Sequence, residues 1–281
     1  MNDLNPPLLA HLLYVQIGSP DPERVARFYA KLFDLPVTAT LGGWVCRRPH
    51  QCLVFAEGPA NSLISAGYAA SDSKVLASLA TRAKESLVET AAIDAVLLEP
   101  GAVAFRDPDG NRVVYGLPTE SGPQRPSEVP PARLQHVVVG SSDVERMVTF
   151  YSRVVGLRVS DEVRDEQGGV RACFMRTDDE HHSFAVFRTS THRLDHYCHE
   201  LSDWNAIRDW ADRLAAHDIP VKWGPGRHGP GNNLFLFFHD PDGNWVELSA
   251  ELQTLPADRP AGTWRHEERT LNQWGRAYLR S

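Results

Sequence analysis

Two stretches of this chain repeat one pattern of apolar and polar positions. Asp21 to Val37 reads DPERVARFYAKLFDLPV and Asp143 to Val159 reads DVERMVTFYSRVVGLRV, at a constant offset of 122 residues. Val25, Phe28, Tyr29 and Leu32 recur at helical spacing in the first, and Met147, Phe150, Tyr151 and Val154 in the second. Each predicts an amphipathic helix, the second over Asp143 to Val155. Asp21 suits an N-cap and Pro22 the first helical position. A short apolar run precedes each helix, LLYVQI in one case and LQHVVV in the other. The first half continues with a helix near Ser71 to Ala83 and strands near 86–99, 102–106 and 112–116. The second continues with strands near 158–164, 169–176 and 183–188, a strand from Leu194 to His199, and a helix from about Trp204 to His217. Strands Leu234 to Phe238 and Trp245 to Ser249 close it. Each half therefore reads as two units, each a strand, a helix and several strands. DPDGN stands before the last strand of each half, at 107–111 and 240–244, and its residues suit turn positions.

Composition narrows the class. The chain has 281 residues, 42% of them hydrophobic, enough for a proper core. A Pro- and Ser-rich stretch, 119–132, predicts a linker. The expected organisation is an N-terminal domain over 1–118, that linker, a C-terminal domain over 133–250 and a tail over 251–281. The formal net charge of −7 comes without a basic run, so nucleic acid is not expected as a partner. No stretch approaches the roughly 20 apolar residues of a membrane span, and the N-terminus lacks the features of a signal peptide. Four cysteines without CxxC spacing fit reduced, buried thiols in a cytoplasm.

The repeats have diverged where chemistry would sit. The offset that aligns the helices puts Tyr14 against His136, and the first DPDGN runs on to Val114 where the second runs on to Glu247. His196 lies on a third strand, in RLDHYCHEL. Alone, each has a plain reading: a strand histidine is usually satisfied or exposed, and a strand Glu usually faces solvent. Together, on strands that wrap into one concave sheet, they form two imidazoles and a carboxylate on one side of a divalent ion. That is the facial triad of non-haem Fe(II) oxygenases, which leaves coordination positions open. His228 follows a glycine-rich run, GPGRHGPG. His181 and His182 stand just before a strand, and an imidazole there suits proton transfer near neutrality. Aromatic residues for a pocket are available at Phe174, Phe184, Phe187, Trp204, Trp223, Phe235 and Phe237, although core packing accounts for most such residues. Phe187 and Phe237 neighbour the candidate site strands. Cys198 shares the His196 face and reads as a packed core thiol; His199 and Tyr197 face the other way.

Residues 226–247 (GRHGPGNNLFLFFHDPDGNWVE) resemble the signature of type I extradiol ring-cleaving dioxygenases of the vicinal oxygen chelate superfamily. Residues 10 to 250 resemble that family's two-domain form. The resemblance implies an α+β fold: two domains, each of two tandem βαβββ modules, with open curved mixed sheets enclosing a metal site in the C-terminal domain. It implies Fe(II), or Mn(II), held by His136, His196 and Glu247. It implies His181 as the catalytic group that stabilises oxygen and handles protons, with His182 beside it at the substrate, and His228 near the substrate hydroxyl. The partners implied are a small catecholic aromatic and O2, in a homo-oligomer; the product is a ring-opened semialdehyde or enol. One position departs from the pattern. The signature's Tyr is Phe237 here, and a Phe cannot donate a hydrogen bond. Two alternatives stand beside this reading: another metal-dependent enzyme of the same scaffold, such as a glyoxalase-like or hydroxyphenylpyruvate-dioxygenase-like one, and a non-catalytic small-molecule binding protein.

Overall fold

A computed structural model describes residues 8–86, 91–93, 97–119 and 126–279. The N-terminal half runs β1 (Ala10–Ser19), α1 (Pro22–Phe33), β2 (Val37–Thr40), β3 (Gly43–Arg48), β4 (Gln51–Glu57). It continues β5 (Leu63–Ala70), α2 (Ser73–Glu85), β6 (Ala91–Ile93), β7 (Ala102–Arg106), β8 (Arg112–Gly116). The C-terminal half repeats that order with β9 (Arg133–Ser141), α3 (Val144–Phe150), β10 (Arg158–Arg164), β11 (Val170–Arg176) and β12 (Phe184–Arg188). Then come β13 (Arg193–Leu201), α4 (Trp204–Ala216), β14 (Trp223–Arg227), β15 (Leu234–His239) and β16 (Trp245–Ala250). The α+β expectation of tandem βαβββ modules holds. The predicted helix over Asp143 to Val155 is α3 continued by a π-turn, Tyr151–Val155. Of the strand expected near 86–99, residues 87–90 and 94–96 lie outside the described residues, as do 120–125 of the expected linker.

Local chemistry starts the helices as the sequence expects. Asp21 and Asp143 cap α1 and α3 by accepting from the backbone N–H of Arg24 and Arg146, each cap contributing about 1 kcal/mol. The sheets are of 8 and 9 strands, ordered β2-β3-β4-β1-β5-β8-β7-β6 and β14-β15-β16-β13-β9-β12-β11-β10-β17. Read from opposite ends they are one topology, with a tail strand, β17 (Gly262–Arg265), added beside β10. Register makes the correspondence residue by residue. Gly67 pairs with Tyr14 and Val114; Cys198 pairs with His136 and Glu247. Two residues back along each central strand, Ser65 answers to His196.

The halves share one core, and the repeated turns lock it. Asp107 and Asp240 each gather the backbone of their own DPDGN turn. Each then accepts a buried tyrosine hydroxyl from the opposite half: Tyr151 on Asp107 at 3.0 Å and Tyr29 on Asp240 at 3.3 Å. Phe33 of α1 packs on Trp210 of α4 with ring centroids 4.6 Å apart. Each helix lies against strands of its own half, and α1 meets α4 across the boundary between the halves. Among the described residues, no helix is long and apolar enough to cross a membrane.

Candidate metal centre

The three central strands of the C-terminal sheet, β9, β13 and β16, are neighbours. They bring His136, His196 and Glu247 onto one face, with ligand atoms all within 4.8 Å of one another. The Nε2 atoms of His136 and His196 lie 3.2 and 3.3 Å from Glu247 Oε2. All three side chains are buried. Burial by itself pushes the Glu247 carboxyl up. Hydrogen bonds from His136, His196 and His228 outweigh it and hold the group well below its ordinary value. Desolvation lowers His136. It also acts on His196, where hydrogen bonds to Asp195 and Glu247 prevail and raise the imidazole.

Donors at about 2.1 Å from a common ion and at right angles stand about 3 Å apart, close to the separations found here. The orientation of the rings agrees. His136 Nδ1 donates to Gln135 Oε1 at 2.5 Å, and His196 Nδ1 donates to Asp195 Oδ1 at 2.7 Å. The Gln135 amide is fixed because its Nε2 donates to His182 O and Glu180 Oε2. With protons on both Nδ1 atoms, both Nε2 atoms point at the cluster and would turn lone pairs to an ion that displaces the protons they share with Glu247, the support that metal-binding imidazoles require. Asn233 Nδ2 donates to Glu247 Oε1 at 3.3 Å, and His228 Nε2 stands 3.4 Å from that same oxygen. Oε2 is thereby left to the two histidines. The donor set and its supports fit a divalent metal.

The chain is similar to known proteins along this stretch. Residues 133–248 match the profile of the "Glyoxalase/Bleomycin resistance protein/Dioxygenase superfamily". The match lies within the C-terminal half. A "Metapyrocatechase 2" of Cupriavidus necator is 31% identical over 200 residues, taking in 63% of this chain and 61% of that protein's own length. Among solved structures, a Mn(II)-bound glyoxalase from Novosphingobium aromaticivorans is 26% identical with a TM-score of 0.79, covering 94% of this chain and 90% of that one. A homoprotocatechuate 2,3-dioxygenase of Brevibacterium fuscum, in an anaerobic complex with 3,4-dihydroxyphenylacetate, is 22% identical with a TM-score of 0.82, covering 99% and 92%. At that identity it speaks to the fold.

Above the three donors, the C-terminal half encloses a cavity lined by Val138, Phe174, Phe187, Trp223, Phe237 and Leu271, with His182 and His228 on its wall. Its free interior is about 30 Å³, room for one or two waters. Phe187 and Phe237 stand where the sequence expects them, and the Phe237 ring meets His196 edge-on at 5.2 Å. Phe184 instead stacks on Tyr151 in the core, and Trp204 is exposed against Trp274. Tyr197 packs on the helix layer through Tyr29, and His199 lies against Phe33. His228 stacks on Phe235 at 4.0 Å. The neighbouring glycines serve contact rather than mobility, since a Cβ at Gly226 would sit 2.5 Å from the Phe235 ring. Of the two adjacent histidines, both expected at the site, one lines the cavity. His182 faces the cavity, its ring 4.4 Å from His136, whereas His181 lies behind it against Asp161. The bend ahead of β12, held by the His181 N–H on Gln253 O at 2.9 Å, sends the two side chains apart, and tertiary contacts, not composition, decided which one faces in.

Sequence reasoning missed Gln135, Asp195, Asn233 and Asp161. The first two carried a signal: each candidate ligand histidine directly follows a side chain that can accept a proton. The tail had no predicted place. It closes the domain, with Leu271 in the cavity wall and its carbonyl accepting from His228 Nδ1 at 2.5 Å.

Proposed function

We propose that this chain is an Fe(II)-dependent extradiol dioxygenase that opens the ring of a catecholic aromatic with O2, giving a ring-opened semialdehyde or enol. His136, His196 and Glu247 hold the metal, for which Mn(II) can stand in. The convergence of two imidazoles and one carboxylate from a single half, beneath an apolar cavity, carries this reading. When bound, the metal supplies a template for two vicinal oxygens and an electron path between substrate and dioxygen. The protein does the rest. Phe187, Phe237 and Trp223 wall a flat ring and exclude water. His228 lies where a substrate hydroxyl would meet it, while Asn233 holds Glu247 Oε1. His182 handles the proton at its cavity-facing nitrogen, the task the sequence had given His181. Phe237 offers no hydroxyl, so the protons of the reaction fall to the two imidazoles. A homo-oligomer in the cytoplasm belongs to the same proposal.

The test is anaerobic reconstitution with Fe(II), followed by air and a panel of catechols. Oxygen uptake with a yellow ring-fission product is expected. Catechol-independent behaviour, with turnover of glutathione hemithioacetals in the presence of nickel, zinc or manganese, would instead support a second reading, which the likeness to the Mn(II)-bound glyoxalase favours.

A further inference from the structure

Behind the cavity, one unbroken set of hydrogen bonds runs from His182 to the tail. His182 Nδ1 lies 3.0 Å from His181 Nδ1, and His181 Nε2 lies 3.0 Å from Asp161 Oδ2. Asp161 is buried on β10, and its remaining partners come from the tail. Trp264 Nε1 donates to Oδ2 at 2.8 Å; Arg259 Nη2 and the Gly262 N–H donate to Oδ1 at 2.9 and 3.2 Å. We infer that Asp161 and His181 are positioning residues through which the docked tail fixes the tautomer of His182. The order of donors follows from the anion. A carboxylate accepts only, so the proton between it and His181 sits on His181 Nε2. In the order we infer, His181 carries that one proton and offers Nδ1 as an acceptor, and His182 Nδ1 donates to it. His182 Nε2, on the opposite edge of the ring, is left as a lone pair toward the cavity. Burial raises the Asp161 carboxyl, but hydrogen bonds from His181 and Trp264 draw it down to about 2, consistent with a fixed anion.

This deepens the proposed reading, in that His182 is its proton-handling group, yet the tautomer can be read without turnover. The experiment uses full-length, zinc-loaded protein labelled with ¹⁵N-histidine, the His182 signals being assigned by their loss in His182→Gln. The wild type is expected to show His182 protonated at Nδ1 alone. Asp161→Asn is expected to give a mixture of both tautomers at unchanged metal content, and roughly tenfold faster trypsin cleavage at Arg265 and Arg269. With Fe(II), kcat is expected to fall roughly 10- to 100-fold with KM within about twofold. Should Asp161→Asn not fold, Arg259→Gln, which removes only the tail's charge, is expected to shift the tautomers and cleavage the same way by less. A wild type protonated at Nε2, or variants that keep the wild-type tautomer and tail protection, would overturn the inference. Absence of ring cleavage with the tautomer results intact would instead count against the catalytic reading alone.

Discussion

At the centre of the N-terminal sheet, Tyr14, Ser65 and Val114 occupy the register positions that His136, His196 and Glu247 hold in the C-terminal sheet. The strand order is shared, but the contents differ in kind. In the first half, Tyr14 lies down against Gly67, where any Cβ would meet its ring at 1.9 Å. Val45, Cys52, Val54, Leu98, Ala104 and Val114 complete an apolar plug. In the second, Cys198 stands where Gly67 does, and the space holds three donors, each oriented by a further polar group. A curved sheet therefore supplies a place for a site but not the site. What makes one is the surrounding polar support, because a buried carboxylate without partners costs several kcal/mol. The N-terminal half lacks that support and fills the place with a phenol.

That contrast can be broken at several points. The largest effect is expected from Glu247→Val, which installs the N-terminal half's residue. Metal affinity should fall by roughly 100-fold or more, read by calorimetric titration and by metal content after dialysis; a wild-type load would remove Glu247 from the ligand set. Next comes the converse transplant, Tyr14→His with Ser65→His and Val114→Glu. We expect no second metal per chain and a loss on the order of 3–5 kcal/mol in urea unfolding, since charge would enter an apolar plug. Tight binding of a second ion would show that the sheet positions suffice.

A smaller difference separates Ala69 from Glu200, which lie two residues on from Gly67 and Cys198. Burial pushes the Glu200 carboxyl up to about 7. The folded state therefore holds its proton more tightly than the unfolded chain. The stabilisation is full below about pH 4.5 and is lost as pH rises through about 7. Glu200→Gln should remove this part of the pH dependence, worth on the order of 2 kcal/mol between pH 4.5 and 7.5, as measured by urea unfolding of metal-free protein at both values. An unchanged slope would mean that Glu200 ionises in the folded protein as it does in water.

Much was legible in the sequence because it is written locally. Helical spacing, the Asp caps and the two DPDGN turns each depend on residues close together in the chain, and the repeat offset exposed where the halves differ. Comparing Tyr14 with His136 and Val114 with Glu247 was enough to nominate a site. Other matters depended on contacts between residues far apart. Which of His181 and His182 faces the cavity turned on the bend ahead of β12 and on contact with Asp161. The pairing of Tyr29 with Asp240 and of Tyr151 with Asp107 needed the two halves to be packed. Gln135 and Asp195 became orienting groups only once their rings were placed, and the tail gained its role by meeting Asp161 about a hundred residues upstream. The chain alone thus determined the modules and the donor set, since these follow from short-range propensity and residue chemistry. Tertiary structure decided which partner each ring nitrogen meets and what closes the cavity, because a buried hydrogen-bond network exists only when all its members are in place.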